Sequence, residues 1–321
     1  MAPRGLAREV RWRRIPVGSG AAAGVVPLPL GEVGRGGPVA LIAAGVHGDE
    51  GPWGSLAIRH LLRRLAPERL IGTLRLLPVA NPLAMEANRR CAPLDSLDLN
   101  RCFPGDPGGS HTEMLAHAIA QEAIAGADVA IDLHGGGSWA VNAFTFRFAG
   151  SEELAEAVGA PLILDNHHQS MGPVTLTTCA RARGARVVAI EMGGHSAAED
   201  PWAERIAQGV ERVLVAAGVL TPSPDLPPAP RPLPIGPSAV LRPRRGGILV
   251  PHADQSQVGT VVPGGTLLGE LRDPATWRRL EAFRAPFPRT ALMLLRPMLA
   301  VLEAGAMTYV VADPDAAPSR G

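Results

Sequence analysis

His47 and Glu50 stand three positions apart at the end of an apolar run, in Leu41-Ile-Ala-Ala-Gly-Val-His47-Gly-Asp-Glu50-Gly. An imidazole and a carboxylate at that spacing can close on one metal ion if the backbone turns sharply, and an intervening glycine permits such a turn. A second apolar run ends in His134, within Ile131-Asp132-Leu133-His134-Gly-Gly-Gly. Two His and one Glu are the ligand set of catalytic zinc sites, which keep a fourth position open for water. The chemistry these three residues imply is metal-assisted hydrolysis, with one Zn2+ per chain. Asp49 is the alternative carboxylate ligand, although its spacing of two from His47 suits a shared ion less well. Asp132 lies two residues before His134, on the same side of a strand, and is a candidate to hold that imidazole.

Hydrolysis also needs a base and groups that stabilise the oxyanion. Glu191, in Ala189-Ile190-Glu191-Met192-Gly193-Gly194, is the candidate base. A carboxylate ending a buried strand is desolvated, which raises its pKa toward the range a general base needs. A helix-capping or salt-bridged Glu is the other reading of that position. The segment 81–105 is dense in Arg, Asn and Asp. The forked guanidinium of Arg is the natural grip for a carboxylate. A surface loop held by Asp–Arg pairs would have the same composition.

Several elements must position these groups. Residues 38–46 form a continuous apolar run, as expected of a strand buried on both faces. Further strands are expected at 73–79, 128–133 and 186–190, and short strands in the alternating, Gly-punctuated stretch 9–30. Helices are expected at 52–65, 113–125, 151–158 and 201–217, the last with Asp200 as N-cap. Alternating strands and helices indicate an α/β fold, a mixed and largely parallel sheet flanked by helices. Such sheets place their sites beyond the carboxyl ends of strands, where His47, Asn81, His134 and Glu191 are all expected to fall. Residues 221–237 are Pro-rich and read as a stiff linker. Beyond it, short segments broken by Gly and Pro predict a small C-terminal all-β domain over 238–315, after a catalytic domain over 1–220.

The chain of 321 residues carries a formal charge of +1, so no global field points to nucleic acid or an anionic membrane. Its basic side chains are all Arg, which excludes a Schiff-base lysine. Cys91, Cys102 and Cys179 show no CxxC spacing and read as reduced thiols. The Arg-rich N-terminus lacks the apolar core of a signal peptide, and no apolar stretch approaches the ~20 residues of a membrane span. A cytoplasmic protein is expected, with a homo-oligomer compatible with the sequence.

Together these pieces resemble the succinylglutamate desuccinylase/aspartoacylase family of the zinc carboxypeptidase-like superfamily. The matching motifs are Gly45-Val-His-Gly-Asp-Glu50, Asn81-Pro82, Arg90-x-x-Pro93-x-Asp95, Asp98-Leu-Asn-Arg-x-Phe-Pro-Gly105, Asp132-Leu-His134 and Glu191-Met-Gly193, spread over about residues 15–215. The resemblance implies zinc at His47, Glu50 and His134, with Glu191 as general base. It implies that Arg90 polarises the scissile carbonyl and that Asn100 and Arg101 clamp a substrate carboxylate. The three glycines after His134 and the form Asp98-Leu-Asn-Arg-Cys-Phe-Pro-Gly are closer to the broad bacterial deacylase branch. The expected activity is removal of an acyl group from a small N-acylated amino acid or related carboxylated amide. Two rivals stand beside it: a metallocarboxypeptidase or amidase acting on peptide-like substrates, and a non-enzymatic protein with a structural metal. Tyr309, the single tyrosine, sits in a strand-like run that suggests packing, and Arg147 is a candidate to contact an acidic acyl group.

Overall fold

The computed structural model describes residues 5–20, 24–165, 174–194 and 199–317. In chain order the first strands are β1 (Arg11–Gly20), β2 (Gly24–Gly34), β3 (Val39–Ala44), β4 (Thr73–Leu77), β5 (Val129–His134), β6 (Val141–Arg147), β7 (Leu162–Asp165) and β8 (Arg186–Gly194). The remainder are β9 (Leu233–Ile235), β10 (Ser238–Leu241), β11 (Gly247–Pro251), β12 (Val261–Pro263), β13 (Leu267–Arg272), β14 (Arg279–Arg284), β15 (Arg289–Leu295), β16 (Ala300–Leu302) and β17 (Tyr309–Ala312). The helices are α1 (Gly51–Arg64), α2 (Pro82–Glu86), α3 (His111–Ile119), α4 (Glu152–Val158), α5 (Leu176–Ala182) and α6 (Glu199–Ala216).

Among the described residues, thirteen strands form one mixed sheet along the path β1-β2-β4-β3-β5-β8-β6-β15-β17-β10, with β12 beside β15 and β7 joining β6 to β9. Its parallel centre is β4-β3-β5-β8. The hairpin β1–β2 and the strands from β15 onward extend it antiparallel on either side. A separate antiparallel sheet, β14-β13-β11-β16, lies in the C-terminal part.

The apolar runs are continuous because both faces of the centre are covered. On β3, Ala40, Ile42 and Ala44 pack with Leu61 of α1 and Val210 of α6. Leu41 and Ala43, one residue out of phase, pack with Leu115 of α3 and Leu176 of α5. β5 repeats the pattern, with Ile131 and Leu133 on the first side and Ala130 on the second. This is the period of two expected of a strand with no solvent face. β3 leads on to β4 on one side, whereas its other neighbour β5 leads on to β6 on the opposite side, so the connections from these adjacent strands diverge. The crevice beyond the carboxyl ends of β3 and β5 is therefore a topological switch point.

Three sequence expectations change. β8 runs to Gly194, so Glu191 lies within the strand rather than beyond its end. The cause is β6, which pairs antiparallel with β8 from Phe146↔Ala189 to Val141↔Gly194 and prolongs the ladder. Asp200, the expected N-cap, is placed within α6, and the residues before Glu199 lie outside the described residues. Asn81 serves α2 instead of the crevice, its Oδ1 accepting from the Ala84 N–H at 3.3 Å.

The segment 238–315 supplies both the separate sheet and strands of the large one, β15 joining β6 through Leu294↔Asn142 and Leu295↔Val141. β9 lies inside the Pro-rich stretch and pairs with β7. No helix among the described residues is long and apolar enough to cross a membrane.

Candidate active site

His47 follows β3 by a three-residue turn that opens at Gly45 with φ +70°. A 3-10 turn, Gly48–Glu50, then delivers Glu50 to the N-terminus of α1, where a carboxylate complements the helix dipole. Gly48 is required here: a Cβ would lie 2.1 Å from the Ala84 carbonyl carbon of α2. His134 is the last residue of β5, and Glu191 stands opposite it in the β5–β8 register.

The sequence-predicted trio converges. One donor atom from each of His47, Glu50 and His134 lies within 4.8 Å of the other two. Glu50 bridges the imidazoles, its Oε1 2.9 Å from His47 Nδ1 and its Oε2 2.9 Å from His134 Nδ1. The opposite ring nitrogens are held by carboxylates. His47 Nε2 lies 3.1 Å from Asp98 Oδ1, and His134 Nε2 lies 2.9 Å from Asp132 Oδ2. Asp132 was legible as such a partner, two residues upstream on the same strand face. Asp98 was not, being 51 positions from His47.

This arrangement fits a cation. With each Nε2–H donated to a carboxylate, each Nδ1 presents a lone pair to an oxygen of Glu50 at 2.9 Å. Two acceptors face each other stably only with a proton or a metal ion between them. Burial opposes a charged His134, but Asp132 and Glu50 outweigh it and raise its pKa well above the usual value. His47 is raised in the same way, burial being overcome by Glu50 and Asp98. For Glu50, burial is overcome by the two imidazoles, and its carboxyl is held low. The cluster thus collects positive charge at the point a divalent ion would occupy, and such an ion would displace those protons. Asp49 stands outside the trio, buried with Oδ1 unpartnered.

Arg90 reaches the same point. Its Nε and Nη2 donate to Asp98 Oδ2 at 3.2 and 2.8 Å, which leaves Nη1 3.3 Å from His47 Nδ1 and 3.4 Å from Glu50 Oε1. Asp98 therefore orients both an imidazole and a guanidinium. Asp98→Ala is expected to weaken metal binding about 10–100-fold, the usual loss for a residue that supports a ligand. Competition with a chelator measures it; unchanged affinity would show that Asp98 does not support the site.

Glu191 accepts from Asn142 Nδ2 at 2.8 Å, and burial pushes its pKa up to about 7. The charge on Glu50 adds to that rise, while His134 and the Asn142 bond work against it. Asn142 escaped the sequence reading because it comes from β6, a strand with no marker of its role. Asn100 is buried and tied down, its Oδ1 accepting from the Leu176 N–H at 2.9 Å and its Nδ2 3.4 Å from His134 Nε2. Arg101 lines the cavity and donates from Nη1 to the Asn100 carbonyl at 2.7 Å. It has no carboxylate partner among the described residues.

These groups line a cavity of about 510 Å³, in the range of small-molecule sites. Trp139, Leu294, Met307 and Val310 wall it on the side of the C-terminal strands. Arg296 stacks on the Trp139 ring at 3.9 Å and donates from Nε to the Met307 carbonyl, tying these parts together. Tyr309 does not line the cavity; it is fully buried, and its hydroxyl donates to the Leu268 carbonyl at 3.0 Å. Arg147 is also buried, on ion pairs with Asp165 and Glu156, and lies outside the lining. Cys91, Cys102 and Cys179 are free thiols.

A buried His–Glu–His cluster at a sheet switch point, faced by a carboxylate with pKa near neutrality, defines a candidate metallohydrolase. Comparison with known proteins then gives the family. The chain belongs to the succinylglutamate desuccinylase/aspartoacylase family, whose catalytic-domain model matches residues 36–217. It is 32% identical over 232 residues to the N-alpha-acetyl-L-2,4-diaminobutyric acid deacetylase of Halomonas elongata, a match covering 68% of this chain and 66% of the relative's length. The crystal structure of a succinylglutamate desuccinylase/aspartoacylase from Rhodobacter sphaeroides superposes with TM-score 0.79 at 28% identity, over 95% of each chain. The product-bound ectoine utilization protein EutE (DoeB) of Ruegeria pomeroyi superposes with TM-score 0.79 at 25% identity, over 95% of this chain and 94% of that one. The family is one of deacylases.

Proposed function

We propose that this protein is a zinc-dependent amidohydrolase that removes the acyl group from a small N-acylated amino acid or related carboxylated amide. The observation that carries the reading is the convergence of both His Nδ1 atoms on Glu50, with Glu191 beside them in one cavity. The likeness to a diaminobutyrate deacetylase supports a small acylated amine as substrate.

His47, Glu50 and His134 would hold the zinc ion. When bound there, zinc supplies Lewis acidity toward the scissile carbonyl and toward water. Glu191, with a pKa of about 7, takes a proton from the attacking water and passes it to the leaving nitrogen. Water's oxygen ends on the acyl carbon, the C–N bond breaks, and the products are a carboxylate and an amine. Arg90 Nη1 is aimed at the cluster and stabilises the oxyanion, commonly the largest single contribution to such catalysis. Asn142 orients Glu191. Arg101 binds the substrate carboxylate, its Nη1 steadied by the Asn100 carbonyl.

The wall formed by Leu294, Met307 and Val310 favours small substrates over extended peptides. The three sparse free thiols support a cytoplasmic setting. A screen of N-acetyl, N-succinyl and N-formyl amino acids with zinc-loaded protein tests the reading. Zinc-dependent hydrolysis of at least one is expected; chelator-insensitive turnover, or cleavage confined to peptides, would overturn it.

A further inference from the structure

The floor of the cavity carries a row of aromatic rings that the reaction chemistry does not use. β6 reads Val141-Asn-Ala-Phe144-Thr-Phe146-Arg, and Phe148 follows it. Asn142, Phe144, Phe146 and Phe148 all line the cavity. Alternate residues of a strand share a face and are spaced by about 6.6–6.8 Å. Register places this row relative to the chemistry. Phe144 stands opposite Glu191, and Phe146 opposite Ala189, one step further along the same face. Asp132 and His134 continue that face on β5, opposite Ala189 and Glu191. The row thus begins beside the base and runs away from it.

The rings form a continuous apolar wall. Phe144 and Phe146 meet edge to face with centroids 5.3 Å apart, and Phe146 and Phe148 are 6.5 Å apart. Ala189, opposite Phe146 in the register, also lines the cavity and contributes only a methyl group there. The chain has six Phe in all, so half of them are placed in this cavity.

The charges near the wall are equally selective. Among the described lining residues, the guanidinium groups are those of Arg90 and Arg101. Arg90 is already committed to Asp98. Arg147, on the same strand, points to Asp165 and Glu156 and stays out of the lining. One guanidinium, Arg101, is left for one substrate carboxylate. A second carboxylate laid along β6 would be desolvated against phenyl rings, with no further free cation among the described lining residues to meet it.

We infer that the Phe144–Phe146–Phe148 wall is the specificity-determining subsite, and that it takes an apolar, preferably aromatic, group of the N-acylated substrate and rejects a dicarboxylic one. The inference rests on the deacylase reading for its substrate, but its test separates the two. Binding is measured by calorimetry on the zinc-loaded protein, with 3-phenylpropionate and succinate as probes, each of which offers a carboxylate to Arg101. Hydrolysis of N-acetyl-phenylalanine and N-acetyl-aspartate is measured in parallel. The expected result is at least tenfold tighter binding of 3-phenylpropionate than of succinate. Phe146→Ala should weaken 3-phenylpropionate at least tenfold and leave succinate within threefold, and Ala189→Leu, which adds bulk opposite Phe146, should do the same. Succinate binding as tightly as 3-phenylpropionate, or Phe146→Ala and Ala189→Leu leaving both probes unchanged, would overturn the inference whatever the hydrolysis shows. If no N-acetyl, N-succinyl or N-formyl amino acid of the screen is cleaved while the probes bind in the expected order, the deacylase reading fails and the apolar subsite stands.

Discussion

Glu191→Gln is expected to lower kcat by about a hundred- to ten-thousandfold, the usual contribution of a positioned acid–base group, with zinc content unchanged. The substitution keeps the shape and the partner Asn142 but removes the proton acceptor. The pH dependence provides a second readout. Activity needs the ionised carboxylate, and the pKa of about 7 means that ionisation is lost as pH falls through neutrality. The wild-type rate should therefore rise along an acid limb centred near pH 7, moved downward to the extent that the bound cation favours the carboxylate. The variant should lack that limb. In the metal-free protein the same group affects stability with the opposite sense to a salt-bridged carboxylate. Its folded pKa lies above the unfolded one, so the fold binds the extra proton between those values and loses stability as pH rises across that window. Glu191→Gln should accordingly raise Tm at pH 8 more than at pH 5. A variant within tenfold of the wild-type rate, with the acid limb intact, would exclude Glu191 as the base.

His134→Ala is expected to abolish stoichiometric zinc and reduce turnover to background. It removes one of three ligand atoms and strips Asp132, 1% exposed, of its imidazole partner. A buried carboxylate left unpaired costs about 3–5 kcal/mol, so a lower Tm should accompany the metal loss. Asp132→Asn/His134→Ala removes that charge and should recover stability without recovering zinc. Metal analysis after dialysis, alongside thermal unfolding, separates the two effects. Full zinc content in either variant would take His134 out of the site.

Much of this site was legible because its strongest markers sit where apolar runs stop. A run of residues buried on both faces cannot end in His or Glu without a reason, and in β3, β5 and β8 the reason is the crevice at the switch point. Glu191 stood out by type, but the continuation of β8 three residues beyond it was not legible, because its antiparallel partner β6 lies more than forty positions upstream. Asp98 and Asn142 were out of reach for a similar reason. Each acts through a contact across the fold, and neither carries a local pattern that distinguishes it from an ordinary loop Asp or strand Asn. Arg147 shows the limit from the other side. A cation in a strand near a site suggests a ligand contact, yet Asp165 and Glu156 hold it elsewhere. The stretch 238–315 reads as short β segments, but periodicity does not show that β15 continues the large sheet through Leu294↔Asn142 and so walls the cavity.

Anomalous scattering at the zinc edge, from crystals of the protein loaded with one equivalent of Zn2+, shows whether His47, Glu50 and His134 share one ion. One peak per chain is expected within bonding distance of Nδ1 of His47, Nδ1 of His134 and a carboxylate oxygen of Glu50, with Asp98 and Asp132 on the far ring nitrogens. A peak placed anywhere else, or one bonded to Asp49 in place of Glu50, would contradict that ligand set.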